Sequence, residues 1–564
     1  MHTHNTSNPE KPFSIEPENN GSGRLYVLII LLVVLVPAFL IRLHPVTSES
    51  FQFDAVVSQI SADRGIVANA LDSRDTLFWR RYHPPLLSYI IIANNGIFGP
   101  GPFTSRLFSI IAGSLCCLAV SLSVLKILGH RRWSLAAALF GGWMICLLPV
   151  HLYISRTSNW DAAYSFFNVC SLLLLSLYLK RGTFGNLLTA GVFATLAFLT
   201  CEIGLLIVPA FLFTLFYDIR RRPGTVLIRN WLLLVLAAVL ITAALWPAGI
   251  FRLNILRTIA FRVRDSAMVP RNLPWYMFYA VLFDQAPAFA VFSALSCMAV
   301  PFAARLERVR YGPGTIITAA GESESRGGGG KTGAGESGEN NGRVGGKAGA
   351  GESRGDGGRY AGGWLISAAP FWIYAATAFA LSTVQRLVYI HHIADLFAPL
   401  TVVTACSAFV FLSAAGRGMR RAAAVISAAA LALSIPAALN SNPDVVGPQE
   451  HPGFLGIRDF FENRLDARAY YHHHIVMSYY LPGMRFDAQK PGRWIPERVE
   501  AVKAIPYDFV VTDHSLFSPY YPDLASLSSA LAPEYKLEHA VEHRRTGRPV
   551  AWIYSRRATG ADRN

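Results

Sequence analysis

The chain reads as a polytopic α-helical membrane protein ending in a small α/β domain, and three features of the sequence predict that class. Of its 564 residues, 52% are hydrophobic and only 15% are charged, with a mean hydropathy of +0.34, so polar side chains are too few to cover a water-soluble surface. Apolar runs long enough to cross a bilayer recur between residues 25 and 437. Beyond about residue 440 the pattern changes to short helical and strand-like segments. The net charge of +15 does not mark a nucleic-acid binder, because Lys and Arg fall in short clusters between apolar runs, as anchors do at a membrane.

Taken in order, the first 24 residues, "MHTHNTSNPEKPFSIEPENNGSGR", are polar and lack the apolar core and cleavage pattern of a signal peptide. They predict a disordered cytoplasmic tail, residues 1–24. About 20 apolar residues span a bilayer, and runs meeting this criterion lie near 25–43, 105–128, 134–154, 162–179, 187–200, 203–218, 230–247, 275–303, 364–382, 389–413 and 421–437. The expectation is about eleven spans in a membrane domain, 25–440. The runs 187–200 and 203–218 are short and meet at "TCEIG", which predicts a tight turn rather than one long helix. Residues 312–363 form an insertion rich in Gly, Ser and Glu. Without a strand before it and a helix after it, such a stretch is a flexible segment rather than a nucleotide-binding loop.

The C-terminal region, 441–564, predicts an α/β domain: helical periodicity over 454–465 and 521–535, and strands over 507–514 and 548–557. The seven cysteines, Cys116, Cys117, Cys146, Cys170, Cys201, Cys297 and Cys406, all lie in or at the ends of apolar segments with no CxxC. Neither disulfides nor a zinc site is expected.

Basic connections at 129–133, 180–185, 218–224, 304–312 and 416–421 fall on one side under this count, and the positive-inside rule makes that side cytoplasmic. The N-terminus is then cytoplasmic, and residues 44–104, 155–161, 248–274, 383–388 and the C-terminal domain face outward, at the cell membrane. That outer face is nonetheless rich in arginine. "RDTLFWRRYH" (74–83) and "IFRLNILRTIAFRVR" (250–264) carry several each, the second like a basic amphipathic helix in the interface. Single arginines there can simply snorkel to lipid headgroups. As a group they suit an anionic headgroup, because guanidinium forks pair bidentately with phosphate oxygens. Arg81, His83, Arg106 and Arg386 are the candidates, each beside an apolar helix end.

The outer acids are fewer. A carboxylate at a membrane boundary is costly unless paired or hydrated, which makes it a functional candidate. Asp54 follows the first span, Asp161 opens a later one in "SRTSNWDAAYSFF", and Glu202 lies in "TCEIG". Helix capping or ion pairing is the alternative for each. Asp63, nine residues after Asp54, gains no such support.

These motifs, in this order, resemble the GT-C fold glycosyltransferases that use polyprenyl-phosphate sugars, in particular the dolichyl-phosphate-mannose protein mannosyltransferase and aminoarabinose transferase group. "FDAVVSQISADRG" is similar to that family's first outer loop, and "YHPPLLSYIIIANNGIFGPGPFTSRLFSIIAG" (82–113) to its PPL helix and Arg-led second span. "ISRTSNWDAAYSFF" (154–167), "NLPWYMFYAVL" (272–282) and "QRLVYIHHIADLFAPL" (385–400) resemble three of its span entries. The sequence departs from the family at Ala55, where a Glu often follows the Asp, at His83, where the aminoarabinose branch has Lys, and at Cys201 and Glu202, where many members have Lys.

The resemblance implies a sugar carried on a lipid phosphate, a membrane-embedded site, inversion at the anomeric carbon, and an acceptor that is a protein, lipid or glycan. Asp54 would act as general base, with Phe51, Phe53 and Val56 raising its proton affinity by burial. Asp161 would position the sugar or serve as a second acid, Arg81, His83, Arg106 and Arg386 would hold the departing phosphate, and Glu202, Arg156 and Tyr82 are secondary candidates. His391, His392 and Asp395, and the run His472, His473 and His474, invite a metal reading. Adjacent histidines diverge on a helix and alternate across a strand, so neither set closes around an ion. No cofactor is expected, with a divalent metal as the alternative. Two rivals remain. An oligosaccharyltransferase would carry WWDYG, absent here; a transporter or flippase of lipid-linked sugars would show internal repeats and charged pairs at mid-membrane, and neither is visible.

Overall fold

The computed structural model describes residues 20–43, 62–63, 65–71, 84–129, 133–157, 160–221, 224–256, 363–384, 394–414, 453–471, 477–478, 480–487, 496–513, 523–542 and 549–557, with isolated positions at 289, 293, 294, 296, 298 and 432. It opens with α1 (Asn20–Ile30), a π turn (Leu31–Leu35) and α2 (Val36–Leu43), which together form the first apolar span. After a short α3 (Gly65–Leu71) come α4 (Leu86–Phe98) and α5 (Pro102–Leu128), then α6 (Ser134–Cys146) and α7 (Pro149–Arg156), joined at a sharp bend. α8 (Asp161–Arg181), α9 (Phe184–Thr200), a 3-10 turn (Glu202–Ile207), α10 (Val208–Arg221), α11 (Thr225–Leu245) and α12 (Pro247–Phe251) follow, and α13 (Gly363–Val384) and α14 (Ala394–Ala414) complete the bundle.

α5 and α8 pack side by side at its centre, with α6, α9, α13 and α14 around them. Their meeting faces are buried: Val120 and Val124 of α5, Ile145 of α6, Leu172 of α8, and Phe397 and Val402 of α14 share one apolar core. Polar side chains survive there by bonding locally. Ser114 and Ser123 donate to the carbonyls of Ile110 and Ala119, at 2.8 and 2.7 Å, so no hydroxyl of theirs is left unmade in an apolar medium. α8 stops because Gly182 adopts φ 67° and caps the helix through its N–H to Tyr178 O, a conformation that glycine takes without the Cβ penalty. α11 turns large apolar side chains outward, among them Leu232, Leu236 and Leu240, as suits a helix against lipid.

Among the described residues five helices are long and apolar enough to cross a membrane, six if the bent α6–α7 pair is one span. The expected runs at 187–200, 364–382 and 389–413 appear as helices with shorter apolar stretches. Those at 275–303 and 421–437 lie outside the described residues apart from isolated positions, as do the tail 1–19, the Gly-rich insertion to residue 362, and all of the outer loop's motifs before Pro84 except 62–63 and α3. At "TCEIG" the helix ends at Thr200, Cys201 is extended, and the 3-10 turn leads into the next helix, so the chain does break where the sequence predicts a turn.

The C-terminal segment folds as an α/β unit. α15 (Phe454–Phe461), β1 (Arg468–Tyr470), β2 (Arg485–Asp487), α16 (Pro496–Ala504), β3 (Phe509–Asp513), α17 (Leu524–Leu531), β4 (Tyr535–Glu542) and β5 (Pro549–Arg556) build a sheet of order β2-β1-β3-β5-β4. β1 runs parallel to β2 and β3, while β5 is antiparallel to β3 and β4. Strand periodicity makes two cores: Val511 and Ile553 enter one with Phe454 and Phe461 of α15, while Val510, Trp552 and Tyr554 enter the other with Leu527 and Leu531 of α17. The expected strands at 507–514 and 548–557 are β3 and β5. The helices expected at 454–465 and 521–535 are shorter than that, because Tyr535 already begins β4, and β1, β2, β4 and α16 are additional elements.

Candidate functional site

Four of the residues singled out in the sequence are described, and all four are buried: Arg106 and Asp161 at 2% and 0% exposure, Arg156 and Glu202 at 8% and 6%. They come from four different elements. Arg106 is in the first turn of α5, Arg156 ends α7, Asp161 begins α8, and Glu202 begins the 3-10 turn after α9.

Residues close in sequence to three of them pack together. Ala112 of α5, Ala163, Tyr164 and Phe167 of α8, Ala197 of α9 and Cys201 make one apolar cluster, lined by Leu86, Phe108 and Trp160. The Phe108 and Phe167 rings lie 6.5 Å apart. The cluster includes the neighbours in sequence of three of the charges: Phe108 is two residues after Arg106, Trp160 precedes Asp161, and Cys201 precedes Glu202. Ala62, with Leu87 and Ile91 of α4, packs against Phe108 and Trp160, so the segment that follows Asp54 by eight residues returns to the neighbourhood of Asp161. On the far side, Trp246 is fully buried with Leu199 and Ala248 against Leu86, and Tyr89 donates its hydroxyl to Leu245 O at 2.8 Å.

Asp161 suits its position. A carboxylate in the first turn faces the positive end of the helix dipole, and Trp160 O accepts from the amides of Ala163 and Tyr164. Arg156, at a helix C-terminus, is favoured for the opposite reason; its Nη2 donates to Ile41 O of α2 at 2.7 Å. The Cys201 thiol lies 3.7 Å from Glu202 Oε2. Arg106, Arg156, Asp161 and Glu202 each engage a neighbour. All four are charged side chains buried at or near helix ends, where low polarity strengthens every charge interaction and an ion pair or anionic ligand is the arrangement such groups require.

Asp54, Arg81, Tyr82, His83 and Arg386 lie outside the described residues, as do His391, His392, His472, His473, His474 and the Asp395 side chain. Among the described residues, no group of three or more His, Cys, Asp or Glu is arranged to hold a metal.

Two buried polar features went unread in the sequence. Arg42 of α2 is fully buried and reaches His151 of α7; an Arg inside the last turn of an apolar run was the available signal. Tyr178 and Trp231 both donate to the Asp218 carboxylate at the other end of α8, where Asp218 looked like one acid of a basic connection.

The helical bundle has the polytopic membrane fold of the GT-C type. Within that class, the chain resembles the dolichyl-phosphate-mannose protein mannosyltransferase and aminoarabinose transferase group: residues 82–246 match the family model described as dolichyl-phosphate-mannose-protein mannosyltransferase. Two solved structures of ArnT from Cupriavidus metallidurans, one bound to undecaprenyl phosphate and one in the apo state, match with 14% sequence identity. Each covers 95% of this chain and 98% of its own, with TM-scores of 0.53 and 0.52. No curated protein matches the chain in sequence.

Proposed function

We propose that the protein is a membrane glycosyltransferase that moves a sugar from a polyprenyl phosphate to an acceptor hydroxyl on the extracytoplasmic face, with inversion. What supports this reading is that Arg106, Arg156, Asp161 and Glu202, four charged side chains, are all buried and all lie within the segment that matches the mannosyltransferase family model.

In this reading the acceptor oxygen bonds to the anomeric carbon as the bond from that carbon to the phosphate oxygen breaks. The lipid phosphate leaves with the electron pair, and Asp54 takes the acceptor proton. Arg106, with Arg81, His83 and Arg386, stabilises the negative charge on the departing phosphate. Asp161 orients the sugar, and Arg156, Glu202 and Tyr82 line the same site. The long isoprenoid needs an apolar path to that site, which a membrane-embedded helical bundle provides.

The test is release of polyprenyl phosphate by the purified protein from a panel of radiolabelled polyprenyl-phosphate sugars. Asp54→Asn is expected to lower the rate about 10²- to 10⁴-fold while donor binding persists. Unchanged release by that variant would remove Asp54 as the base. Movement of intact donor across vesicles without any release would favour a transporter.

A further inference from the structure

The bend between α6 and α7 raises a mechanical question. The two helices meet at 63°; Leu148 is extended at φ −69° and ψ 119° and Pro149 stands at the start of α7, so proline removes an amide and the backbone ladder does not cross the break. An eight-residue helix attached through such a break has no fixed direction from its own hydrogen bonds. Its last residue lies five positions before Asp161, so that direction bears on how the chain enters α8 at Asp161.

Arg42 spans the break. Its Nη1 lies 3.8 Å from the Sγ of Cys146, the last residue of α6, and its Nη2 lies 2.7 Å from Nδ1 of His151, on α7. The same guanidinium is seated by Ala38 O at 3.0 Å and Cys117 Sγ of α5 at 3.4 Å. Arg156 makes the reciprocal contact, from α7 back to Ile41 O. A third helix closes the joint: a Cβ at Gly113 of α5 would lie 2.1 Å from Ser155 Oγ and 3.1 Å from Arg42 Nε.

Among the described residues no carboxylate pairs with Arg42; it is held by the Ala38 carbonyl, the sulfurs of Cys117 and Cys146, and the His151 imidazole. Because a guanidinium only donates, His151 meets it with the Nδ1 lone pair. A buried guanidinium held this way is costly unless its geometry is kept, and keeping it ties the end of α2 to α7 on both sides of the bend. The last residue of α2 lies eleven positions before Asp54.

We propose that Arg42 is a positioning residue, a strut across the α6–α7 break that fixes the direction of α7 and of the chain leading from it to Asp161. This rests on the transfer reaction proposed above. It adds a residue pair, Arg42 and His151, that touches neither donor nor acceptor and sets the geometry of groups that do.

The test uses the full chain in nanodiscs with Arg42→Lys, His151→Leu and His151→Asn. Lysine keeps the charge and cannot fork across the break; leucine removes the acceptor; asparagine offers Oδ1 close to where Nδ1 stood. Arg42→Lys and His151→Leu are expected to lower kcat about 10- to 100-fold with the donor KM within about twofold, whereas His151→Asn stays within about threefold of wild type. Hydrogen exchange needs no substrate: the peptide covering 149–160 should exchange about tenfold faster in the first two variants and as wild type in the third, with α13 protected in all three. Wild-type kcat and wild-type exchange in Arg42→Lys and His151→Leu would overturn the proposal, as would an Asn variant as impaired as the Leu variant. If Arg42→Lys does not fold, the His151 pair decides. Should the wild type transfer no sugar from any donor, the proposed reaction fails while the exchange arm still judges the strut, and unchanged exchange at 149–160 overturns it.

Discussion

Gly204→Ala probes how Glu202 is held. The 3-10 turn folds back on the last turn of α9, and Gly204 N–H donates to Cys201 O at 2.9 Å. A Cβ at this position would stand 2.5 Å from the carbonyl carbon of Ala197, 2.6 Å from the amide nitrogen of Phe198 and 2.7 Å from Ala197 O. All three atoms are backbone, so no side chain can rotate aside, and the turn must retreat by about 1 Å to reach ordinary contact distance. Overpacking of this kind costs about 1–3 kcal/mol, which should lower the thermal unfolding midpoint of the detergent-solubilised protein by about 1–3 °C. The retreat carries Glu202, two residues earlier, away from the cluster shared by Ala197 and Cys201. Gly185→Ala is the control: that glycine is the second residue of α9 and nothing lies within 4 Å of its Cβ, so alanine there should be neutral or stabilising. Equal midpoints for the two variants would refute the reasoning.

Asp218→Ala leaves the buried Tyr178 hydroxyl and the Trp231 indole, 3.4 Å from Oδ2, without their acceptor. It should cost about 1–3 kcal/mol, read as a lower unfolding midpoint and altered tryptophan emission. In the C-terminal domain, Tyr471→Phe removes the 2.8 Å donor to the buried Asp513 carboxylate, and hydrogen exchange of β1 and β3 should rise; no change would mean that the bond contributes nothing to the sheet. Asp523 caps α17 by accepting from the Ser526 amide at 2.8 Å, and that bond, helped by the Ser526 hydroxyl and the Ala525 amide, holds its carboxyl below the ordinary range. The capping contribution is therefore complete above about pH 3.9, the unfolded value, and lost as pH falls through the lower folded value. Asp523→Asn should abolish this dependence in the exchange of the peptide covering 524–531, after correction for intrinsic rates.

Hydropathy was sufficient for much of the fold because a bilayer filters sequences so severely: a run such as 105–128 has no alternative but a helix, since every backbone group must bond within it. The end of the helix at Thr200 was legible for a related reason, as neither flanking run was long enough to span with the other appended. Arg106, Asp161 and Glu202 stood out as charges at the ends of apolar runs. Arg42 did not, because one arginine two residues inside an apolar end is what snorkelling also produces. Likewise, β1 and β2, at three residues each, are too short for periodicity to register.

By itself, then, the sequence determined that the chain is a helical membrane protein, where most of its helices lie, and which residue types could serve an anionic lipid substrate. Only the tertiary structure decided that Phe108, Trp160 and Cys201, close in sequence to Arg106, Asp161 and Glu202, belong to one packed cluster, and that Arg42 bridges a bend to His151, 109 positions away in the chain. The physical reason is that hydropathy and periodicity act along the chain over a few turns. Which helix ends meet, and which buried charge finds which acceptor, is set by close packing between elements far apart in sequence.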